Sequence, residues 1–577
     1  MKELSRFHLG FLLGCAMVGS ILRLGGLATK PLWTDEFATI VFSLGNSFRT
    51  IPLDRVIALP ELLQPLQPNP QAGFTDVVQN LLRESNHPPL YFLLTHLWLQ
   101  VFPTSGGYVS ELAARSLPAI FGVLSIPATF WLAWVVFRNL TIAQVAAAFT
   151  ALSPFGIYLA QEARHYTLSV LWVIASLGCL AIAVHHVRYY RPLPWGISLA
   201  WIVVNALGIA THYFFLLTLA AAGIALLCCL LCCLGISCLG ISPRLSSCLP
   251  SAFPTWSSVP TVVWQRLLIV AGGTVASALV WLPWIIQTQD TELTRWITHT
   301  GRSGVEWLAP IGNLLASGIT MLYLLPIQAP NRTVAIASIV GLLLITLATL
   351  PLLWRGFRQR RQPPHDPMGL GLLSSFLIGA IALFLGMTYF VSTDLTSAFR
   401  YSFVYFPAVL VLLASCLTPP ASASPPRQVL LIGILSLVGA LTVVTNLSYQ
   451  KTHRPDLVVQ AIQQQSQAPA LVASVHRTHG QTGRLMGIAW EWHRRQESSL
   501  PPPHFLLAHQ GPNSDAALGV LERAIAAQPR PFDLWLVEFR SVNQEMLAGM
   551  LKQQQCRLAA PRRRVDGYRW EGYACRR

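Results

Sequence analysis

The sequence predicts a polytopic α-helical membrane protein with a small C-terminal α/β domain, and three observations carry that expectation. Of 577 residues, 53% are hydrophobic and only 11% charged, with a mean hydropathy of +0.50. A water-soluble globule could not hide so much apolar surface. Apolar runs of about 20 residues, the length that crosses the hydrocarbon core, recur between His8 and Leu447. From Ser448 the pattern changes. Short apolar runs, Ala470 to Val475, Phe505 to Ala508 and Phe532 to Val537, alternate with helix-like stretches, Leu457 to Gln467 and Asn513 to Ala527. Strand lengths interleaved with helix lengths predict an α/β layer. The expected domains are therefore 1–447, in the membrane, and 448–577, outside it.

Eleven runs have the length of a span: His8 to Ala28, Leu112 to Phe137, Ile142 to Ala160, Thr167 to His186, Trp195 to Ala210, Phe214 to Leu234, Val262 to Ile286, Val334 to Trp354, Gly369 to Val391, Ser402 to Leu417 and Val429 to Leu447. Two shorter stretches, Pro89 to Phe102 and Pro310 to Leu325, are broken by proline. Basic residues arbitrate, because cytoplasmic loops are rich in arginine and lysine. Only the eleven-span count puts Arg138, Arg188, Arg191, Arg244, Arg355, Arg358, Arg360, Arg361 and Arg427 together in the cytoplasm. The two short stretches then become helices lying in, or dipping into, the outer leaflet. Met1 to Ala28 has the basic start of a signal peptide without a convincing cleavage site, and reads as an uncleaved first span with its N-terminus inside. The C-terminus falls outside, the expected location being the plasma (inner) membrane.

A formal charge of +16 raises the question of nucleic acid. The bases sit in short clusters between apolar runs, where membrane orientation accounts for them, so no nucleic-acid partner is expected. The C-terminal region holds 17 basic and 10 acidic residues, a surface that favours anionic lipid or glycan or is simply solvated. Cys556 and Cys575 fall in the external domain, where a bridge between them is permitted. Cys228, Cys229, Cys232, Cys233, Cys238 and Cys248 have spacings like those of metal ligands, but the first four lie in an apolar span and read as small apolar filler.

Chemistry is expected at the outer boundary. Asp35 and Glu36 stand just beyond the first span, in a 29–111 outer segment. Charge at the bilayer centre costs roughly 2.5–3.5 kcal/mol per group, so carboxylates kept at its edge suggest work done there. Adjacent residues point about 100° apart on a helix, so one carboxylate faces a reaction centre while the other supports it. Simple favour for a helix N-terminus is the competing explanation. His87 precedes Pro88 and Pro89, which forbid a helix before Pro89. Arg115, inside the second span, needs a counter-charge or a phosphate. In Gln161-Glu162-Ala163-Arg164-His165-Tyr166, the residues Glu162, His165 and Tyr166 share a face if that turn is helical, although an interfacial belt would use the same types. His212 and Tyr213 occupy a further outer turn, and Arg400-Tyr401 opens another span. Arginines at the outer leaflet suit a lipid phosphate, which guanidinium binds bidentately.

Taken in order, Trp33-Thr34-Asp35-Glu36, His87-Pro88-Pro89-Leu90-Tyr91, Arg115, Gln161 to Tyr166 and Arg400-Tyr401 resemble the GT-C glycosyltransferases of the family 39 type. These include protein O-mannosyltransferases, aminoarabinose transferases of lipid A and the bacterial RgtA/B/C/D-like proteins. The resemblance spans Phe7 to Asp456; the ordered set is fairly specific and each motif alone is weak. It implies a GT-C fold and an inverting transfer from a polyprenyl-phosphate sugar donor to a protein, lipid or glycan acceptor. By that resemblance Asp35 is the base toward the acceptor, with Glu36 and His87 contacting the acceptor or supporting it. Arg115 and Arg400, with Tyr401, hold the donor phosphate, while Glu162, Arg164, His165, Tyr166, His212 and Tyr213 line the cavity. Some relatives hold a divalent cation near the acidic loop; no recognisable ligand set is present here, so no metal and no other cofactor is assigned. A ligase or polymerase of lipid-linked glycans is the nearest alternative. A transporter or flippase is disfavoured by the lack of an internal repeat or a midplane charge series.

Overall fold

The computed structural model describes residues 6–233, 261–288, 297–298, 302, 304–362, 367–419, 427–495, 500–511, 515–539 and 541–576. Arg244, Cys238 and Cys248 lie outside the described residues. The chain forms two compact units, Met1–Gly26 with Arg115–Gln450, and Leu27–Ala114 with Lys451–Arg577. This division differs from the boundary drawn at residue 447. The 29–111 segment packs with the C-terminal region, because it supplies that region's sheet with an edge strand.

The first unit is a helix bundle, as its composition predicts. By length and composition, eight described helices qualify as spans, or nine if the bent pair Leu140–Leu152 and Pro154–Ala160 is one span. The eleven apolar runs expected from the sequence are more than these. One end of the bundle gathers bases. Arg188 donates to Met368 Sδ at 3.7 Å, Gly369 lies against Val136 and Phe137, and Arg360 donates to the Ser415 and Thr418 carbonyls at 2.9 and 2.8 Å. The same helices carry His165, His212 and Tyr401 at their opposite ends. The short helix Phe406–Leu417 is preceded by Phe399–Val404, and Thr261–Leu279, which qualifies alone, is followed by Leu282–Thr288. Trp195–Thr211 has 17 residues, about 25 Å at 1.5 Å per residue.

Pro310 to Leu325, expected to lie in or dip into the outer leaflet, falls largely within Gly304–Leu322, which meets the length and composition of a span. Asn313 reaches Thr396 at 3.4 Å and Ser317 reaches Ser402 at 2.8 Å, both at the aromatic end. At the end of the helix the Leu322 and Met321 carbonyls accept from Ser436 at 2.5 Å and Ser153 at 2.6 Å. Beyond it Gln328 N–H donates to the Leu447 carbonyl at 3.1 Å.

Two carbonyl caps fix the broken span. Pro154 opens its second half; proline cannot donate and pushes the preceding residue out of the helical region, which bends the pair by 55°. The carbonyls stranded at that break, Thr150 and Ala151, accept from the buried Arg23 at 2.7 and 2.9 Å. Cations are favoured at a helix C-terminus. Gln161 returns the arrangement, donating to the Leu22 and Gly25 carbonyls that end the first helix, at 3.2 and 2.9 Å. An arginine within hydrocarbon depth is therefore satisfied by backbone, and the Gln161 turn is anchored to the first span.

The second unit holds a six-stranded sheet, β1 (Val56–Ile57), β2 (Ala470–His476), β3 (His504–His509), β4 (Phe532–Val537), β5 (Cys556–Val565) and β6 (Tyr568–Cys575). Its order is β1-β3-β2-β4-β6-β5. The three expected strands form the parallel centre, β3 and β4 flanking β2. β1 adds to β3 antiparallel, Val56 opposite Leu506. Helices His479–Arg495 and Asp515–Ala527 make the crossovers. The β5–β6 hairpin was not legible: β5 reads Cys-Arg-Leu-Ala-Ala-Pro-Arg-Arg-Arg-Val, polar and interrupted by Pro561. Such a strand is tolerated only at an edge and at a bulge, and β5 is an edge strand with register shifts on either side of Ala560. Cys556 and Cys575, opposite each other in that hairpin, form the disulfide.

Candidate active site

In the first unit the aromatic end brings together most of the residues singled out from the sequence. The Gln161–His165 stretch is a turn between Pro154–Ala160 and Tyr166–Arg188. The shared helical face expected for Glu162, His165 and Tyr166 is therefore absent, since Arg164 N–H bonds back to the Glu162 carbonyl at 2.7 Å and breaks the register. The residues converge by tertiary packing instead. The ring of His165 lies 4.6 Å from both Tyr166 and His212. His212 in turn lies 6.2 Å from Tyr401 and 5.1 Å from Phe403. Tyr213 turns away to face Trp281 at 6.2 Å.

Two guanidinium groups bear on this cluster. Arg164 sits over Tyr166 at 5.8 Å and Arg400 over Tyr401 at 5.4 Å. Glu162, Arg164 and Arg400 are all buried. Burial, then Arg164, then Arg400 push His212 down to about 3. His212 is thus a neutral ring held between cations. Arg115, fully buried, belongs to the same unit. One turn further along its helix the Pro118 carbonyl accepts from Thr167 at 2.9 Å, which brings that end of the helix beside the start of Tyr166–Arg188. Sequence reading missed Tyr158 and Tyr449, whose rings stack at 4.4 Å and 7°. It also missed Phe403. Isolated aromatics in apolar runs carry no signal that would separate them from core.

In the second unit Asp35 and Glu36 occupy the first turn of the helix Thr34–Ser43. Its backbone start is capped from afar: Thr34 donates through N–H and Oγ1 to His453 Nδ1, at 3.3 and 3.0 Å. Glu36 is fully buried and faces Lys451 Nζ at 3.3 Å. Of the two roles that resemblance implies for Glu36, this favours support over acceptor contact, and Asp35 is the partly exposed member of the pair. His87 bonds Ser85 at 3.1 Å and lies 6.2 Å from Phe92. The helix Leu90–Leu99 begins directly after Pro89, as the prolines require. Asp35, Glu36 and His87 thus belong to one unit and the remaining candidates to the other. Among the described residues no group of three or more His, Cys, Asp or Glu side chains could hold a metal ion.

The second unit also holds two half-buried histidines, His476 and His479, the second within reach of the Asp35 charge. Burial, opposed by Asp35 and aided by His476, holds His479 at about 4. Burial and then His509 hold His476 at about 4, against the pull of Asp54. Both values lie below the ordinary 6.5, so the unfolded chain binds these protons more readily. Their contribution to stability is complete above pH about 6.5 and is lost as the pH falls toward 4. Thermal melts of the purified protein should therefore show a midpoint falling through that window. A midpoint constant from pH 7 to 4 would refute it.

No protein-family profile matches this sequence, and no curated protein matches it either. Among solved structures the chain is similar to ArnT from Cupriavidus metallidurans in the apo state, with 11% identity, 98% of this chain against 97% of that one, and a TM-score of 0.49. It is similar to the same protein bound to undecaprenyl phosphate, with 13% identity, the same shares of 98% and 97%, and a TM-score of 0.49. The Archaeoglobus fulgidus oligosaccharyltransferase in the apo form follows, with 13% identity, 93% of this chain against 70% of that one, and a TM-score of 0.44. These neighbours are GT-C glycosyltransferases, the class that the ordered motifs resemble.

Proposed function

We propose that this protein is an inverting glycosyltransferase that moves a sugar from a polyprenyl-phosphate donor to an acceptor hydroxyl at the outer face of the plasma (inner) membrane. One observation carries the reading: Arg164 and Arg400 bear on a neutral His212 inside a buried aromatic cluster. Two buried guanidinium groups beside an uncharged ring favour an anion, and a planar fork suits phosphate oxygens. The aromatic surface around them accommodates a prenyl chain or a sugar face.

The chemistry then needs few parts. The acceptor oxygen attacks the anomeric carbon, and the bond from that carbon to the phosphate oxygen breaks. The electron pair leaves with the lipid phosphate, whose growing charge the arginines stabilise. The hydroxyl proton passes to the Asp35 carboxylate as the new bond forms, since a carboxylate is too weak a base to take it earlier. Attack opposite the leaving phosphate inverts the anomeric centre. Glu36, held by Lys451, and His87, beside Phe92, position the acidic turn. Arg115, Glu162, His165, Tyr166 and Tyr401 shape the donor side. The acceptor is a protein, lipid or glycan hydroxyl.

Arg400→Lys tests the donor side, because an ammonium keeps the charge and loses the fork. Transfer from labelled polyprenyl-phosphate sugars in membranes should fall on the order of tenfold to a hundredfold, chiefly through the KM for the donor. An unchanged donor KM would remove Arg400 from the phosphate.

A further inference from the structure

We infer that His479, at the turn where β2 passes into the helix His479–Arg495, is a positioning residue for Asp35, so that the C-terminal sheet domain takes part in the transfer step. The inference rests on the reading of Asp35 as the base. It assigns a role to a domain whose sequence matches no motif of the glycosyltransferases that the membrane region resembles.

Packing within the second unit supports it. The imidazole lies flat on Phe48, with centroids 5.1 Å apart and an 18° tilt, and meets Phe42 edge-on at 6.0 Å. One turn further along its helix, Gly483 lies against Thr34, so closely that a Cβ would come within 2.8 Å of Thr34 Cγ2. Residues four apart share a helix face, and so do residues seven apart. The face bearing His479 and Gly483 therefore packs on the Thr34–Ser43 face that bears Asp35 and Phe42. The charge of Asp35 acts on His479. The charged or titratable groups that act on this ring are Asp35 from the Thr34 helix and His476 from β2.

Two further arguments separate this from ordinary core packing. A half-buried imidazole stacked on one phenylalanine and edge-on to another is partly desolvated, a cost that a third phenylalanine would avoid. His479 therefore lowers stability at this position relative to an apolar ring. It also stands at the carboxyl end of β2, between β3 and β4. There successive crossovers leave in opposite directions, which is where open α/β sheets place their ligands. A neutral ring there fixes the Asp35 turn without neutralising the carboxylate.

The test uses the full-length protein in nanodiscs and reads His479 directly, by the pH dependence of its imidazole C2–H exchange in mass spectrometry. Asp35→Asn removes the neighbouring anion, so the His479 midpoint should fall by about half a unit or more. A midpoint unmoved by Asp35→Asn overturns the inference, whatever the activity of that variant. His479→Phe should fold, melt at least as high as wild type below pH 5, and lower kcat about tenfold with the acceptor KM changed less than twofold. Its activity is read with tritiated polyprenyl-phosphate mannose, glucose and arabinose, using whichever turns over fastest in wild-type membranes. Wild-type kcat in His479→Phe would also overturn it. The function proposed above stands or falls separately, on whether Asp35→Asn still transfers sugar.

Discussion

Asparagine in place of Asp35 is expected to lower sugar transfer by about 10²- to 10⁴-fold, the range that general-base catalysis supplies. Asparagine keeps the size and a carbonyl acceptor but cannot take the proton released as the acceptor oxygen bonds to the anomeric carbon. The first turn of Thr34–Ser43 is capped by His453 and anchored by Lys451 and Glu36, none of which the substitution touches. Insertion and thermal stability should therefore stay near wild type, and the loss should appear in kcat with the donor KM nearly unchanged. Membranes carrying the variant, supplied with labelled lipid-linked sugar, give the measurement. Transfer within threefold of wild type would strip Asp35 of its role.

Methionine in place of Lys451 is expected to lower stability by about 3–5 kcal/mol, the usual cost of removing one partner of a buried ion pair. The side chains of Lys451 and Glu36 are 2% and 0% exposed and 3.3 Å apart, so water cannot replace the lost cation. The pair itself need not be stabilising over an apolar equivalent. The double variant Lys451→Met, Glu36→Gln should accordingly recover most of the loss. Midpoints of thermal unfolding in detergent would show both effects. A single variant as stable as wild type would mean that Glu36 does not depend on Lys451. Because Glu36 adjoins Asp35, the single variant should also lose activity that the double variant partly regains.

Much of this architecture was legible because its causes are local. Apolar runs of membrane length, proline before Leu90 and Pro310, and arginines grouped between spans all act through the bilayer and the nearby backbone, and the structure follows them. The central strands β2, β3 and β4 were legible for the same reason, as short runs buried on both faces. What stayed hidden depends on partners far along the chain. β1 has two residues and exists through pairing with β3. β5 is a polar edge whose identity comes from β6 and the Cys556–Cys575 bridge. In the site, arginine, histidine and tyrosine types near the outer boundary were found, but the grouping of Glu162, His165 and Tyr166 rested on a helix that the turn does not form. His479 and the Lys451 partner of Glu36 were beyond reach, since no spacing rule connects Lys451 to Glu36 or the Phe42–Phe48 pair to His479.

The two-residue strand at Val56 also dictates an order of assembly. It is translated before most of the described membrane helices, while β3, the edge it completes, is translated after them. Until then the early segment has no sheet to join, and a chain halted before β3 would leave it without a template. Conversely, a C-terminal fragment made alone would present the bare margin of β3 to other chains, an invitation to edge-to-edge aggregation.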